Sequence, residues 1–178
     1  RGARGFETAT LVDGDIDGDG DYDQIYTYGA RSITVWDAAT GVLLWDSGDE
    51  LERITAADPV YGALFNSDND EHALKARSAD KGPEPEAIVV AEVDGQLFGF
   101  VGLERTGGLV SYDLNDPLAP EFVQYINTRD VNTEGGDLGP EDIKHIAASE
   151  SPNGKHLLVV ANEVSATVSI FEMDLNCP

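Results

Sequence analysis

An acidic run near the start of the chain has the composition of a cation-binding loop. Residues 13–23 read DGDIDGDGDYD and contain six Asp in eleven residues. Calcium takes about six to eight oxygen ligands, which a short and sharply turning loop can supply. Carboxylates packed this densely repel one another unless a cation neutralises them. The run therefore predicts a calcium loop, and a solvated acidic turn is the alternative.

The spacing within the run assigns individual ligands. Gly20 falls at position 6 of such a loop, where the chain turns sharply. The next residues, QIYTYG, read as a strand, and no Glu stands at position 12, so the loop lies between strands and is not an EF-hand. The predicted calcium ligands, at positions 1, 3, 5, 7 and 9, are Asp15, Asp17, Asp19, Asp21 through its carbonyl oxygen, and Asp23.

A second set of carboxylates recurs in two copies. Glu86 and Glu141 each follow a Pro that opens a strand, and Glu104 and Glu163 each follow the next strand. An antiparallel hairpin brings the start of one strand beside the end of the next. We therefore expect Glu86 beside Glu104, and Glu141 beside Glu163 and Asn162. If the first strands line a central channel, all four Glu meet at one mouth and bind a metal or substrate there. Ordinary exposed carboxylates are the alternative.

Few positive groups accompany these acids: Arg105, Arg129, Lys81 and Lys144, with His145 close by. A phosphate ester would need some of them, together with a metal, to offset the carboxylates; Arg105 and Arg129 are the candidates for steadying it. The interpretation we favour is pairing with nearby acids, for example Arg105 with Glu104 or Glu163. The chain has no Gly-x-Ser-x-Gly, no His-Glu-x-x-His and no phosphate-cradling loop.

The elements that must position these residues are short strands. Apolar residues alternate with polar ones, strong helical stretches are absent, and the intervening segments are turn-rich, a pattern typical of all-β proteins. The predicted strands form three groups: Ile25–Tyr28, Ser32–Asp37 and Val42–Asp46; Ala87–Val93, Leu97–Gly102, Leu109–Asp113 and Phe122–Ile126; and Ile143–Ser149, His156–Ala161 and Val168–Glu172.

The groups are also repeats of one another. Glu141 follows Glu86 by 55 residues and Glu163 follows Glu104 by 59. Repeats of this length, each a meander of up to four strands, are typical of β-propeller blades. We expect an all-β propeller fragment of about three four-stranded blades at residues 10–55, 84–127 and 138–176, with a long polar loop at 56–83. Three blades cannot close a ring, so the remaining blades belong to another chain or fragment.

The composition of the chain disfavours several classes of binding partner. Eleven Lys and Arg against 34 Asp and Glu give a net charge of −23 and a pI near 4.1, which disfavours nucleic acids and anionic membranes. No apolar run approaches the roughly 18 residues of a membrane span. Cys177 is the only cysteine, so we expect no internal disulfide, and its partner is left open. The first residues, RGARG, lack an initiator Met and an apolar signal segment, which is what a fragment would show.

Several strings resemble, in order, the bacterial choice-of-anchor I proteins, a family similar to the mesenchyme-specific cell-surface glycoproteins of animals. They are DGDIDGDGDYD, IYTYGARSITVWDAATGVLLWDSGDELE, LFNSDNDE, RSADKGPEPEAI, LFGFVGLERTGGLVSYDLNDPLAPEFVQYINTRD, GDLGPEDI and SPNGKHLLVVANEVSATVSIFE. The resemblance covers nearly the whole chain and corresponds to the C-terminal part of the family's propeller. Ala87 and Asp142 depart from the Gly usual after Pro-Glu, and the 72–79 loop is less acidic than usual. Neither departure removes a predicted ligand.

The resemblance implies a secreted or surface-anchored propeller, with a periplasmic location as the alternative. Some chains of this kind are described as atypical alkaline phosphatases. By the more distant analogy of gluconolactonase-like propellers, Glu86, Glu141, Asn162 and Glu163 would hold a metal in the central channel, in addition to the calcium of the loop. Two hypotheses follow: a calcium-binding module of a surface protein, which we rank first, and a metal-dependent phosphoesterase.

Overall fold

The chain folds largely into short antiparallel strands. The computed structural model describes residues 14–26, 29 and 31–175. Within that part of the chain the strands form three separate antiparallel sheets of two, four and three strands. The strands are β1 (Thr34–Trp36), β2 (Leu43–Asp46), β3 (Pro85–Val93), β4 (Gln96–Leu103), β5 (Leu109–Asp113), β6 (Glu121–Ile126), β7 (Pro140–Ile146), β8 (Leu157–Asn162) and β9 (Thr167–Glu172).

The all-β prediction and its three strand groups are confirmed, with two differences. The first is a short helix, α1 (Glu50–Ala57), which the sequence analysis did not place and which is followed by a 3₁₀ turn at Tyr61–Leu64. Its eight residues bury only Leu51 and Thr55, too short a pattern for periodicity to reveal. The second is the predicted strand at residues 25–28: Ile25 has no strand partner, and residues 27 and 28 lie outside the described residues.

Tight turns set the register of the hairpins. Asp94 and Gly95 both have positive φ, 50° and 81°, and join β3 to β4 so that Val93 pairs with Gln96. Two residues with positive φ are the usual connection of a two-residue hairpin, because their twist matches that of the strands. Each of the two larger sheets begins with a Pro whose strand shifts register immediately afterwards, at Pro85 and at Pro140.

The four-stranded sheet is the centre of the structure because it is packed on both faces. One face, which includes Val110 and Tyr112, packs against α1 and the first sheet; the rings of Trp45 and Tyr112 meet edge to face at 5.6 Å. The other face, which includes Phe98 and Phe100, packs against the third sheet. Full burial of each large apolar side chain contributes about 1.5–3 kcal/mol. Together the two interfaces stack the three sheets in chain order.

Candidate functional site

The acidic loop folds its carboxylates towards a common centre. Oxygen atoms of Asp15, Asp17 and Asp19 all lie within 4.8 Å of one another. Asp15 accepts hydrogen bonds from the backbone N–H groups of Gly18 at 2.7 Å and Gly20 at 3.0 Å, which wraps the loop around that side chain. The loop is exposed to solvent, so an ion could enter it directly.

The end of the loop is drawn back over its start. Asp23 Oδ2 accepts hydrogen bonds from the N–H groups of Ile16 at 2.8 Å and Asp17 at 3.3 Å. The N–H groups of Asp23 and Gln24 both donate to the carbonyl oxygen of Gly14 at 3.1 Å. The side chains offered are all carboxylates, a donor set that suits hard cations such as calcium. The residues therefore fit the predicted ion, and their role as ligands stays a prediction; Asp13, the first residue of the run, lies outside the described residues.

A second carboxylate cluster lies where β3 begins and β4 ends. Oxygens of Glu84, Glu86 and Glu104 lie within 4.8 Å of one another. The antiparallel pairing of Pro85 with Leu103 brings the start of β3 beside the end of β4. The hairpin argument predicted this proximity for Glu86 and Glu104. The N–H of Glu104 also donates to the carbonyl oxygen of Glu84 at 2.8 Å. Glu84 was not predicted as a member of this cluster.

Protein cations surround Glu84. Arg105 Nε donates to Glu84 Oε2 at 2.9 Å, Lys81 donates to Oε1, and Arg77 lies 3.8 Å away. Burial pushes the pKa of Glu84 upward, but the hydrogen bonds and charges of Lys81 and Arg105 outweigh it and hold that pKa below its usual range. Glu84 is therefore ionised at neutral pH.

Glu104 has the opposite electrostatic balance. Burial, followed by the negative charge of Glu84, raises the pKa of Glu104 to about 7, although Arg105 Nε lies 3.1 Å from its Oε2 and opposes the shift. Asn69 donates to Glu104 Oε1 at 3.2 Å. The Oδ1 of Asn69 is buried and, among the described residues, has no hydrogen-bond partner. The cluster thus holds one firmly ionised carboxylate beside one that titrates near neutrality.

The second copy of the carboxylate pair is also assembled. Burial, and then the negative charges of Glu163 and Glu86, raise the pKa of Glu141. The pairing of Pro140 with Asn162 brings Glu141 and Glu163 to neighbouring strand ends, as predicted, and Glu86 also acts on Glu141. The N–H of Glu163 donates to the carbonyl oxygen of Gly139 at 2.8 Å, repeating the contact between Glu104 and Glu84.

Asn162 is placed differently from the four Glu. It is buried, and its Nδ2 donates to the hydroxyl oxygens of Thr167 at 3.3 Å and Ser169 at 2.9 Å. Both hydroxyls also donate to Asp137, at 2.6 Å each. The amide nitrogen is thus committed to β9, and a ligand role for the Asn162 oxygen stays a prediction.

The two arginines named for substrate binding already have protein partners. Arg105 pairs with Glu104, as the favoured interpretation expected, and also with Glu84 and with Asp68 at 3.5 Å. Arg129 is buried, and its guanidinium donates to the carbonyl oxygens of Arg105 and Asp68 at 2.8 Å each. Arg129 therefore holds the backbone around the cluster together, which leaves little of its guanidinium for an anion.

The comparisons with known proteins found relatives of similar sequence. The chain is 33% identical over 171 aligned positions to Gigasin-3a of Magallana gigas, covering 87% of this chain and 60% of that protein. It is 27% identical over 106 positions to the mesenchyme-specific cell surface glycoprotein of Strongylocentrotus purpuratus, covering 52% of this chain and 13% of that protein. The chain therefore spans about three fifths of one relative and about an eighth of the other.

Three further observations concern solved structures, membrane-spanning helices and the family of the chain. No solved structure matches the chain significantly, and none of the helices described here is long and apolar enough to cross a membrane. The family model of the choice-of-anchor I domain matches residues 4–117, which include both the acidic loop and the Glu84–Glu104 cluster. The chain belongs to the choice-of-anchor I domain family.

Proposed function

We propose that this chain is a calcium-binding β-propeller module of a secreted or cell-surface protein. The observation that carries the proposal is the convergence of Asp15, Asp17 and Asp19 within 4.8 Å in a loop closed by Asp23. Like charges at that separation are costly without a cation between them. Calcium matches both the oxygen-only ligands and the tight, glycine-containing turn.

Membership of the choice-of-anchor I family, and similarity to a protein named as a cell surface glycoprotein, support an extracellular or surface location. The charge of −23 fits that setting, because acidic surfaces hold cations and water and avoid anionic partners. We therefore place the module outside the cell, with calcium as a structural ion.

The propeller part of the proposal is supported by the stacking of the three sheets and by exposed apolar residues on the strands β3 and β9. On β3, Ile88 and Val90 are 59% and 52% exposed, although they belong to the central sheet. On β9, Val168 and Ile170 are 66% and 64% exposed. Soluble proteins seldom expose apolar groups side by side without a partner. Further blades, on another chain or fragment, would cover these faces and complete the ring.

Calcium binding is tested by thermal unfolding with and without chelator. A ligand that binds only the folded state raises the melting temperature by mass action, so excess EGTA should lower it. Asp17→Ala combined with Asp19→Ala should abolish that response. The matched control is Asp70→Ala combined with Glu71→Ala, which removes two charges from exposed positions outside the loop. An EGTA response that survives the loop substitutions would disprove calcium binding at this loop.

A second candidate function, a metal-dependent phosphoesterase, rests on the Glu84–Glu86–Glu104 cluster and the neighbouring Glu141 and Glu163. A metal bound by these carboxylates would supply an activated water, which the chain needs because it has no evident side-chain nucleophile. The engagement of both Arg105 and Arg129 with the protein ranks this function below the first.

Turnover of p-nitrophenyl phosphate decides the second candidate. The full-length parent protein is assayed with added calcium and iron, and then with Glu104→Gln, Glu141→Gln and Glu163→Gln. The phosphoesterase hypothesis expects turnover in the unaltered chain that falls at least tenfold in each variant. No turnover removes the hypothesis, and turnover unchanged by the substitutions removes the proposed ligands.

A further inference from the structure

Two of the three histidines of the chain meet across the hairpin of the third sheet. His145 lies on β7 opposite Leu158, and His156 comes directly before β8. Because residues two apart on a strand share a face, His145 lies on the same face as Ile143, which packs against the central sheet. The histidine pair therefore lies on the side of the third sheet that contacts the central sheet.

The two imidazole rings meet edge to edge. His145 Nε2 lies 2.9 Å from His156 Nδ1, and the ring planes differ by only 8°. The ring centres are 5.2 Å apart, a separation that two such rings reach at this contact distance only when the facing nitrogens point at each other. When both rings are neutral, one facing nitrogen carries a hydrogen and the other a lone pair.

A carboxylate from the central sheet stands behind this pair. Asp94, in the turn between β3 and β4, has its Oδ1 3.6 Å from His156 Nε2. This carboxylate favours a hydrogen on Nε2 of His156 and so leaves the lone pair on Nδ1, the nitrogen that faces His145. A carboxylate behind the second nitrogen is the usual surrounding of a metal-binding histidine, because it fixes the tautomer and the orientation of the ring.

The local charge also suits a cation. Burial, followed by the charge of His156, lowers the pKa of His145, and the negative charge of Glu150 opposes that shift. His145 is therefore neutral at pH 7, which is the form of histidine that binds metals. Asp94 and Glu150 supply negative charge close to the two rings.

We propose that His145 Nε2 and His156 Nδ1 together bind a divalent transition metal such as Zn²⁺, with Asp94 as the residue that positions His156. Two nitrogens about 2.05 Å from a metal are about 2.9 Å apart at a right angle and about 3.3 Å apart at a tetrahedral angle. The observed 2.9 Å lies at the start of this range. His145 moves its hydrogen from Nε2 to Nδ1 to free the lone pair, so no proton is lost overall. Water completes the coordination.

This site is separate from the carboxylates. Glu141 lies at the start of β7 and His145 four residues later, a distance of about 13 Å at about 3.3 Å per residue. The sequence analysis placed His145 close to the expected mouth, whereas the structure places it towards the other end of the strand. Imidazole nitrogens suit zinc, copper and nickel, whereas calcium prefers oxygen. The inference therefore goes beyond the proposed calcium module and does not depend on it.

Zinc affinity is measured by isothermal titration in excess calcium, which competes for the oxygen-only sites. His145→Gln and His156→Gln should each weaken zinc binding at least tenfold, because either substitution leaves a single imidazole ligand. The matched control is His72→Gln, which removes the third histidine and should leave the affinity unchanged. Asp94→Asn keeps a residue that tolerates the positive φ of the turn and should weaken binding about tenfold.

NMR of the imidazole rings tests the unaltered chain directly. Zinc should shift the ring signals of His145 and His156 with one common midpoint, and the ¹⁵N shifts should show that the hydrogen of His145 has moved to Nδ1. Ring signals that do not respond to zinc would overturn the proposal. Variants that lose stability but keep full zinc affinity would also overturn it, because the pair would then be only a hydrogen bond between strands.

Discussion

The acidic loop and the Glu84–Glu104 cluster both hold carboxylates close together, but they offset the repulsion between them in different ways. Each brings three carboxylates within 4.8 Å. In the loop, backbone N–H groups hold exposed carboxylates, and no ion pair to a loop side chain is found among the described residues. In the cluster, Arg105 and Lys81 neutralise carboxylates that are largely buried. The proposed calcium of the loop would therefore come from solution without a competing side chain, whereas a metal at the cluster would have to compete with Arg105 and Lys81.

Removing the internal cation is the strongest test of this difference. Arg105→Met leaves Glu84 and Glu104 buried without their shared partner and should lower the free energy of unfolding by about 3 kcal/mol, the usual cost of breaking a buried pair. Urea denaturation in EGTA measures the loss. Added calcium should restore more stability to this variant than to the unaltered chain. A loss below about 1 kcal/mol would contradict the role assigned to Arg105.

The titration of Glu104 gives a pH test of the cluster. Its pKa is raised to about 7 in the folded chain, so the stability that its protonated form contributes is complete below about pH 4.5 and is lost as the pH rises through 7. Glu104→Gln, which stays neutral, should therefore be more stable than the unaltered chain by about 2 kcal/mol at pH 8 and no more stable at pH 4.5. Urea denaturation in EGTA at both pH values measures this, and an equal difference at the two would contradict it.

Backbone strain in the loop should show itself chiefly as a loss of calcium affinity. Gly20 has φ +96° and open space around the position of a Cβ, so Gly20→Ala adds strain of about 1 kcal/mol without a clash. Calcium affinity should fall about fivefold by isothermal titration. Gly154→Ala is the matched control, because Gly154 also has positive φ and open space but lies in a turn of the third sheet. An equal loss of affinity in both variants would show that the effect is not local to the loop.

The smallest effect is expected at the second carboxylate pair. Glu141 is exposed, so Glu141→Gln should change the free energy of unfolding at pH 7 by less than about 0.5 kcal/mol. Burial, and then the negative charges of Glu163 and Glu86, raise the pKa of Glu141. NMR titration of the side chains can follow this pKa, and Glu86→Gln should lower it. If Glu86→Gln left the pKa of Glu141 unchanged, the two carboxylate pairs would not interact.

Sequence reasoning reached the carboxylate pairs because hairpin pairing is local. Once Glu86 and Glu104 were assigned to the start and end of consecutive strands, antiparallel geometry placed them together, and the repeat extended the argument to Glu141 and Glu163. The acidic loop was equally accessible, because its ligands lie within nine residues of one another. Short periodicities and fixed spacings are the features that a single sequence displays directly.

The partners supplied from residues 58–84 could not be predicted in this way. Asp68 and Asn69 reach Arg105 and Glu104 from a segment of irregular turns. That segment depends on positive φ at Asn66 and Glu84, 48° and 56°, which composition does not reveal. The only available signal for Glu84 was the doubled Pro-Glu in GPEPE. Cys177, the only cysteine of the sequence, lies outside the described residues, so the structure does not identify its partner.

The equivalence of Glu84 and Gly139 has a consequence for how such units diverge. Both residues precede the Pro that opens a sheet, both have positive φ, and both accept the same backbone hydrogen bond. Glycine adopts that conformation freely, whereas a side chain there carries a conformational penalty. One replacement at this site therefore separates a unit that has no side chain there from one that bears an extra buried acid. In a chain with more copies of this unit, the residue before each such proline would identify the units that carry the extra buried acid.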